Sequence, residues 1–194
     1  MRIIVGISGA TGAQMGYRFL QVLQQFPNIE THLVVTEGAK VIFQQETDIP
    51  LEEVLDLADV VHDNKNMGAS ISSGSFKTDG MVVIPCSMKS LSAIANAYNS
   101  ELLVRAADVC LKENRRVVLV PREMPMNRTH LRNMMAASEA GCVIIPPVLT
   151  FYSHYPTVDD QVDHIIGKVL MQFGLDFKGL KPWTGNTDIC LLHR

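Results

Sequence analysis

The sequence is short of several features that would indicate a particular class of protein. It has no run of basic residues, and 17 Lys and Arg against 20 Asp and Glu give a net charge of −3, which argues against a nucleic-acid partner. Its apolar runs have the length of strands and are far shorter than a membrane span. The chain starts directly with one such run, so we expect no signal peptide and a cytoplasmic location.

The cysteines and histidines show no spacing typical of a metal site. The four cysteines form no CxxC pair and lie at Cys86, Cys110, Cys142 and Cys190. Neither zinc nor a disulfide framework is therefore expected, and a reduced compartment is the default. The six histidines are scattered, and no Ser/His/Asp order is legible. We predict a protein without a metal ion.

The most informative stretch that is present is the start of the chain. Residues 2–8 form a β-branched apolar run with Gly6, Gly9 and Gly12 spaced three apart, and a helix-like segment follows at residues 14–25. Backbone N–H groups at a helix start are unpaired and lie at the positive end of the dipole, so they suit a phosphate. The spacing differs from the dinucleotide fingerprint and from the Walker loop. A packing role for the glycines is therefore the alternative to a phosphate site.

Apolar β-branched runs alternate with helix-like segments along the chain. We predict strands at residues 2–8, 32–36, 81–85, 116–121 and 143–145. Such strands, joined by right-handed helical crossovers, indicate a three-layer, doubly wound α/β domain with a parallel sheet. We assign this domain to residues 1–176, and we assign residues 177–194 to a tail that is a candidate lid or oligomer contact. The small, polar residues 67–77 are expected to form a loop outside the core.

In such a sheet, ligands bind beyond the carboxyl ends of the strands. The residues that follow the predicted strands carry hydroxyl groups and two cations, Lys89 and Arg122, a combination that suits a phosphorylated ligand. Charges at a buried sheet edge need a partner, which favours a site role for Arg122 and Glu123. Taken locally, the other charged candidates are typical of solvated helix surfaces, and these are Glu46, Arg105, Lys112 and Lys168.

Six segments in order resemble the flavin prenyltransferase (UbiX) family, formerly described as aromatic-acid decarboxylase subunits. They are residues 6–12 (GISGATG), 71–76 (ISSGSF), 85–90 (PCSMKS), 105–113 (RAADVCLKE), 121–125 (PREMP) and 146–152 (PPVLTFY). The resemblance implies a flavodoxin-like (Rossmann-like) fold, usually a homododecamer, that joins the dimethylallyl group of dimethylallyl phosphate to N5 and C6 of reduced FMN without a metal. It also implies that the prenylated FMN is passed to a UbiD-type aromatic acid decarboxylase.

The resemblance further implies roles for individual residues. FMN contacts are expected from Gly9, Ala10, Thr11, Thr36, Ser87, Met88, Lys89, Ser90 and Arg122. Contacts with dimethylallyl phosphate are expected from Arg105, Lys112, Arg122, Glu123, Tyr152, Lys168 and Trp183. Catalytic roles are expected for Lys112 and Arg122, which would grip the leaving phosphate, and for Glu123 and Glu46, which would handle protons. Lys168 stands where many relatives have Arg, which keeps the charge and loses the bidentate fork.

Two other functions are compatible with this fold. Flavin-dependent cysteine decarboxylases use a catalytic His in the region of residues 71–79, whereas this chain has no His between His62 and His130. A non-catalytic FMN-binding accessory subunit would not need Arg105, Lys112, Tyr152 and Lys168 to converge on a second phosphate. A gain in mass of FMN incubated with dimethylallyl phosphate would discriminate between the three functions.

Overall fold

The computed structural model describes residues 1–152, 154–183 and 185. The chain divides into two compact units, Met1–Pro147 and Val148–Arg194. The boundary predicted at residues 176/177 falls inside the second unit and stays a prediction. Most of the predicted tail, namely residue 184 and residues 186–194, lies outside the described residues.

The first unit is built on a sheet of six parallel strands. They are β1 (Arg2–Ile7), β2 (Glu30–Val35), β3 (Val60–His62), β4 (Gly80–Cys86), β5 (Arg116–Pro121) and β6 (Cys142–Ile144). Their order in the sheet is β3-β2-β1-β4-β5-β6, so the direction of winding reverses between β1 and β4. The predicted doubly wound parallel sheet is confirmed. The topological switch point, where such sheets bind ligands, lies between the ends of β1 and β4.

The described residues include seven α-helices, six of them in the first unit. They are α1 (Ala13–Leu23), α2 (Glu37–Glu46), α3 (Leu51–Asp56), α4 (Met88–Ala95), α5 (Leu102–Lys112), α6 (Arg128–Glu139) and, in the second unit, α7 (Val158–Leu170). Several helix starts have a side-chain cap: Asn127 caps α6 and Thr157 caps α7, each in a reciprocal capping box. Among the described residues, no helix is long and apolar enough to cross a membrane.

Two elements of the first unit were not predicted from the sequence. The strand β3 has only three residues and lies at the sheet edge with Val60 and Val61 exposed, so it gives no buried pattern to detect. The six-residue α3 has a single buried residue, Val54. The prediction that residues 67–77 lie outside the core was wrong in part, because Ile71 is 1% exposed and belongs to the main hydrophobic cluster.

Close packing of α1 on the sheet determines the geometry at the switch point. A Cβ added at Gly16 would lie 2.6 Å from the carbonyl oxygen of Ile84 and 2.8 Å from Cδ1 of Ile7. Only glycine therefore allows the backbone of α1 to approach the ends of β1 and β4 this closely. The loop between β1 and α1 is fixed relative to β4 as a consequence.

Candidate active site

A cavity of about 570 Å³ lies beyond the carboxyl ends of β1, β2 and β4. Its position is the switch point of the sheet, and its volume is in the range of small-molecule sites. The cavity is lined by Gly9, Thr36, Glu37, Gly38, Asn64, Lys65, Ser87, Met88, Lys89, Ser90, Ser100, Glu101 and Glu123. All of these residues belong to the first unit.

The starts of α2 and α4 meet at this cavity. The Thr36 hydroxyl accepts the N–H of Ala39 at 3.2 Å, and the Ser87 hydroxyl accepts the N–H of Ser90 at the same distance. The Ser87 hydroxyl also donates to Oγ of Ser90 at 3.2 Å. These caps fix the hydroxyl groups on the wall, and they bring the positive ends of two helix dipoles to one cavity. The arrangement suits a ligand with a negative group and several oxygen atoms.

The end of β1 is tied to the end of β4 by Ser8. Its hydroxyl donates to the carbonyl of Pro85 at 3.1 Å and accepts the N–H of Ser87 at 2.7 Å. Next to it, a Cβ added at Gly9 would lie 2.9 Å from Cα of Gly38. Gly9 is therefore required for packing against the start of α2, in addition to any contact with a ligand. A side chain at this position would disturb the loop itself.

Seven of the residues expected from the sequence line the cavity, although they come from four separate parts of the chain. They are Gly9, Thr36, Ser87, Met88, Lys89, Ser90 and Glu123. Ala10 and Thr11 follow Gly9 in the same loop but are not part of the lining. The sequence analysis expected a site role for Arg122 because a charge at a buried sheet edge needs a partner. This reason was wrong, because the side chain of Arg122 is exposed in this chain and its charge is not buried.

The carboxylate of Glu46 lies at the start of α1 instead of in the cavity lining. Its Oε2 accepts the N–H of Gly12 at 2.9 Å. Gly12 is the N-cap residue of α1 and has no side chain to cap the helix, so Glu46 supplies a negative group at the positive end of the dipole. One of the N–H groups that the sequence assigned to a phosphate is therefore occupied by a carboxylate.

The two predicted cations on α5 make local contacts. Nη1 of Arg105 pairs with Asp108 at 2.9 Å, and its Nε donates to the carbonyl of Ser72 at 3.1 Å. Nζ of Lys112 pairs with Glu113 at 2.5 Å, and this pairing lowers the pKa of Glu113. Neither cation lines the cavity of its own chain.

The second unit contains three predicted substrate residues. The ring of Tyr152 meets those of Trp183 and His164 edge to face, with centroids 5.8 Å and 6.1 Å apart. Lys168 is exposed in the last turn of α7, one turn beyond His164. Burial lowers the pKa of His164, and the charge of Lys168 lowers it further. Within the described part of this unit, Tyr152 therefore contacts both Trp183 and His164, and the charge of Lys168 acts on His164.

The sequence analysis missed several residues of the cavity wall. Asn64 and Lys65 follow β3, the edge strand that was itself not predicted. Ser100 and Glu101 precede α5, and only the crossover from α4 to α5 brings them to the cavity. Gly38 could have been found from the end of β2, because it lies two residues after the predicted Thr36. No group of His, Cys, Asp and Glu in the described ranges is arranged to hold a metal ion.

Comparisons with known proteins show the family of this chain. The family model described as Flavoprotein matches residues 1–170. A curated relative from Sedimentibacter hydroxybenzoicus, named "Probable UbiX-like flavin prenyltransferase", is 62% identical over 97% of this chain and 100% of its own length. The chain belongs to the UbiX-like flavin prenyltransferase family. The family and the flavodoxin-like fold expected from the resemblance are both confirmed.

Two solved structures of UbiX-like proteins superpose closely on this chain. A dodecameric FMN-dependent UbiX-like decarboxylase from Escherichia coli O157:H7 is 51% identical, with a TM-score of 0.93 over 95% of this chain and 100% of that chain. AnUbiX (PadA1), in complex with FMN and dimethylallyl pyrophosphate, is 46% identical, with a TM-score of 0.92 over 95% and 98%. A peptidyl-cysteine decarboxylase is 15% identical at a TM-score of 0.59, and it shares the fold alone.

Proposed function

We propose that this UbiX-like chain joins the dimethylallyl group of dimethylallyl phosphate to N5 and C6 of reduced FMN. The observation that carries the proposal is the convergence of Gly9, Thr36, residues 87–90 and Glu123 on one cavity at the switch point. Its hydroxyl groups, helix starts and lysines fit a ligand that has a phosphate, a polyol chain and a ring system. When bound, reduced FMN supplies the nucleophilic atoms.

Binding of FMN is assigned to the loops at the ends of β1, β2, β4 and β5. The hydroxyl groups of Thr36 and Ser90 have fixed positions because they take part in the caps of α2 and α4. In this proposal they exchange hydrogen bonds with oxygen atoms of FMN, together with Ser87, Lys89 and the loop of Gly9, Ala10 and Thr11. Met88 offers an apolar contact to the ring, and Arg122 reaches it from the end of β5.

Departure of the prenyl phosphate requires cations that stabilise charge as the C–O bond breaks. We assign this role to Arg122 and Lys168, with Tyr152 as a hydrogen-bond donor and Trp183 as an aromatic wall for the allylic group. Lys112 and Arg105 are assigned to the same phosphate from a neighbouring subunit, because neither lines the cavity of its own chain. The pairing of Lys112 with Glu113 would have to open on binding.

Handling of protons is assigned to two carboxylates. Oε1 of Glu123 accepts the N–H of Met124 at 3.0 Å, which orients the group on the cavity wall and leaves its other oxygen to accept a proton during ring closure at C6. Glu46 lies at the start of α1, where its bond with Gly12 keeps it beside the same loop. Its part would be proton transfer near N5.

The proposal includes a homododecamer that passes prenylated FMN to a UbiD-type decarboxylase. The E. coli relative is dodecameric, and several large apolar side chains between residues 124 and 135 are exposed, with Met124 79%, Leu131 54% and Met135 61% exposed. Exposed apolar side chains of this size are typical of a subunit interface. The catalytic domain is assigned to residues 1–176, and a cytoplasmic setting is supported by the free state of Cys86, Cys110 and Cys142.

The test is the mass of the flavin after anaerobic incubation with reduced FMN and dimethylallyl phosphate. We expect the released flavin to gain one dimethylallyl unit, and a parallel reaction with the pyrophosphate tests the donor. Tyr152→Phe removes one hydroxyl donor and should slow single-turnover transfer about 10-fold while FMN affinity is retained. An unchanged flavin mass with either donor would refute the proposal. Release of CO2 from a cysteine-terminated peptide would favour the decarboxylase alternative.

A further inference from the structure

Two lysines among the described residues of the cavity wall differ in how their charges are balanced. Nζ of Lys89 lies 3.7 Å from Oε2 of Glu101. Lys65 lines the same cavity, and the ion pairs within 4.0 Å in the described part of the chain do not include it. The charge of Lys65 acts on Glu37, whose pKa is lowered by its bond with Lys40 and further by Lys65. Lys65 is therefore the less compensated of the two cations.

The position of Glu101 has a specific structural cause. Glu101 is the N-cap residue of α5, but its side chain makes no cap bond. The cap is supplied by Asn64, whose backbone carbonyl accepts the N–H of Leu102 at 2.8 Å and whose Oδ1 accepts the N–H of Leu103 at 3.0 Å. Nδ2 of Asn64 then donates to Oε2 of Glu101 at 3.0 Å. The carboxylate of Glu101 is thereby held on the cavity wall beside Lys89.

The backbone of Lys65 is equally well fixed. Its N–H donates to Oδ1 of Asp63 at 3.0 Å, and the preceding Asn64 is buried with 6% exposure. The side chain of Lys65 is exposed and lines the cavity, so its ammonium group extends toward solvent from an anchored backbone. A long cation on a fixed base can follow the phosphate of a ligand that enters the cavity.

We propose that Lys65 binds the terminal phosphate of the flavin and that Glu101 weakens the contribution of Lys89 to the same contact. Together they set how strongly the cavity prefers FMN to riboflavin, which lacks the phosphate. The inference rests on the proposed function for the identity of the ligand. An ammonium attracts a phosphate dianion through a charge-assisted bond, whereas a carboxylate beside Lys89 offsets its charge and repels the same dianion.

The two residues therefore have opposite expected effects on affinity. Lys65→Met removes the uncompensated charge and should raise the Kd for FMN about 3- to 10-fold, the scale of a contact that is partly exposed to solvent. Glu101→Gln keeps an oxygen that can accept from Asn64 and removes the negative charge, so the Kd for FMN should fall about 2- to 5-fold. The Kd for riboflavin should stay constant in both variants.

The experiment is titration of the full chain with FMN and, separately, with riboflavin, followed by quenching of flavin fluorescence at two salt concentrations. Lys77→Met is the matched control, because Lys77 is an exposed lysine that does not line the cavity and its substitution changes the net charge equally. The effect of Lys65→Met should shrink at high salt, as expected for a charge contact near solvent. The control should leave both affinities unchanged.

Three results would overturn the inference. Equal FMN affinity of the Lys65→Met and Lys77→Met variants would remove Lys65 from the phosphate contact. Equal weakening of FMN and riboflavin by Lys65→Met would indicate a structural role only, and weaker FMN binding by Glu101→Gln would contradict its role as counter-charge. A wild-type chain that binds FMN but leaves its mass unchanged refutes the proposed transferase alone, whereas one that binds neither flavin refutes both.

Discussion

Replacing Asn64 by Asp would separate the two tasks that this side chain performs. In Asn64→Asp, one carboxylate oxygen can still accept the N–H of Leu103 and cap α5, for which Asp is as suitable as Asn. The other oxygen takes the place of Nδ2, which lies 3.0 Å from Oε2 of Glu101. Two ionised carboxylates would then meet at hydrogen-bond distance on a wall where Asn64 is 6% exposed. The helix cap survives, and the contact with Glu101 becomes repulsive.

The cost follows from the two ways in which the pair can relax. Protonating one carboxyl of ordinary pKa at pH 7 costs about 4 kcal/mol, and separating the groups loses a bond to a charged acceptor worth about 1.5–3 kcal/mol. We therefore expect a loss of about 2–4 kcal/mol at pH 7.5, slightly reduced by Lys89. Repulsion raises the pKa of the pair in the folded state above its unfolded value. The loss should accordingly shrink as the pH falls toward 5, where a shared proton restores the bond.

The assay is urea unfolding of the variants and the wild-type chain at pH 7.5 and pH 5. Asn64→Ala is the matched control, because it removes both the cap and the bond to Glu101 without adding a charge. We expect it to cost about 2–5 kcal/mol at both pH values, the sum of a lost cap and a lost bond to a charged acceptor. Wild-type stability of Asn64→Asp at pH 7.5, or the same loss at both pH values, would refute the assigned geometry.

Three further predictions concern other parts of the chain. Lys168→Ala should slow single-turnover prenyl transfer about 10-fold with little change in FMN affinity. A wild-type rate would show that Lys168 is only a solvated charge on the helix surface. Gly16→Ala should cost at least about 2 kcal/mol in urea unfolding despite the better helix propensity of Ala, because its Cβ would lie 2.6 Å from the carbonyl oxygen of Ile84; equal stability would contradict that packing. The bonds to Arg2 and His32 lower the pKa of Glu30 to about 2, so the stability that this carboxylate contributes above pH 4.5 should be lost between pH 4.5 and 2, by about 1 kcal/mol after solvent screening. When the free energy of unfolding is measured as a function of pH, the Glu30→Gln variant should not show this loss between pH 4.5 and 2. The same loss in the variant as in the wild-type chain would refute the pairing.

The sequence by itself determined the architecture and much of the cavity. Buried β-branched runs and helical crossovers predict a parallel doubly wound sheet, and such a sheet gathers its ligand residues at the carboxyl ends of the strands. For that reason Thr36, residues 87–90 and Glu123 could be expected at one site before any distance was known, and the cavity is lined by all of them. The caps at Thr36 and Ser87 are likewise local features, because Thr and Ser before a helix accept an N–H of its first turn.

Only the tertiary structure decided which other residues share that cavity and what their charges meet. Asn64 and Glu101 are 37 positions apart, and no local pattern indicates that one would cap the helix of the other. Glu46 reaches Gly12 across 34 positions. Local periodicity encodes which face of an element is buried, whereas a contact between two loops depends on how the intervening crossovers pack. The charge balance of the cavity is therefore a property of the folded chain.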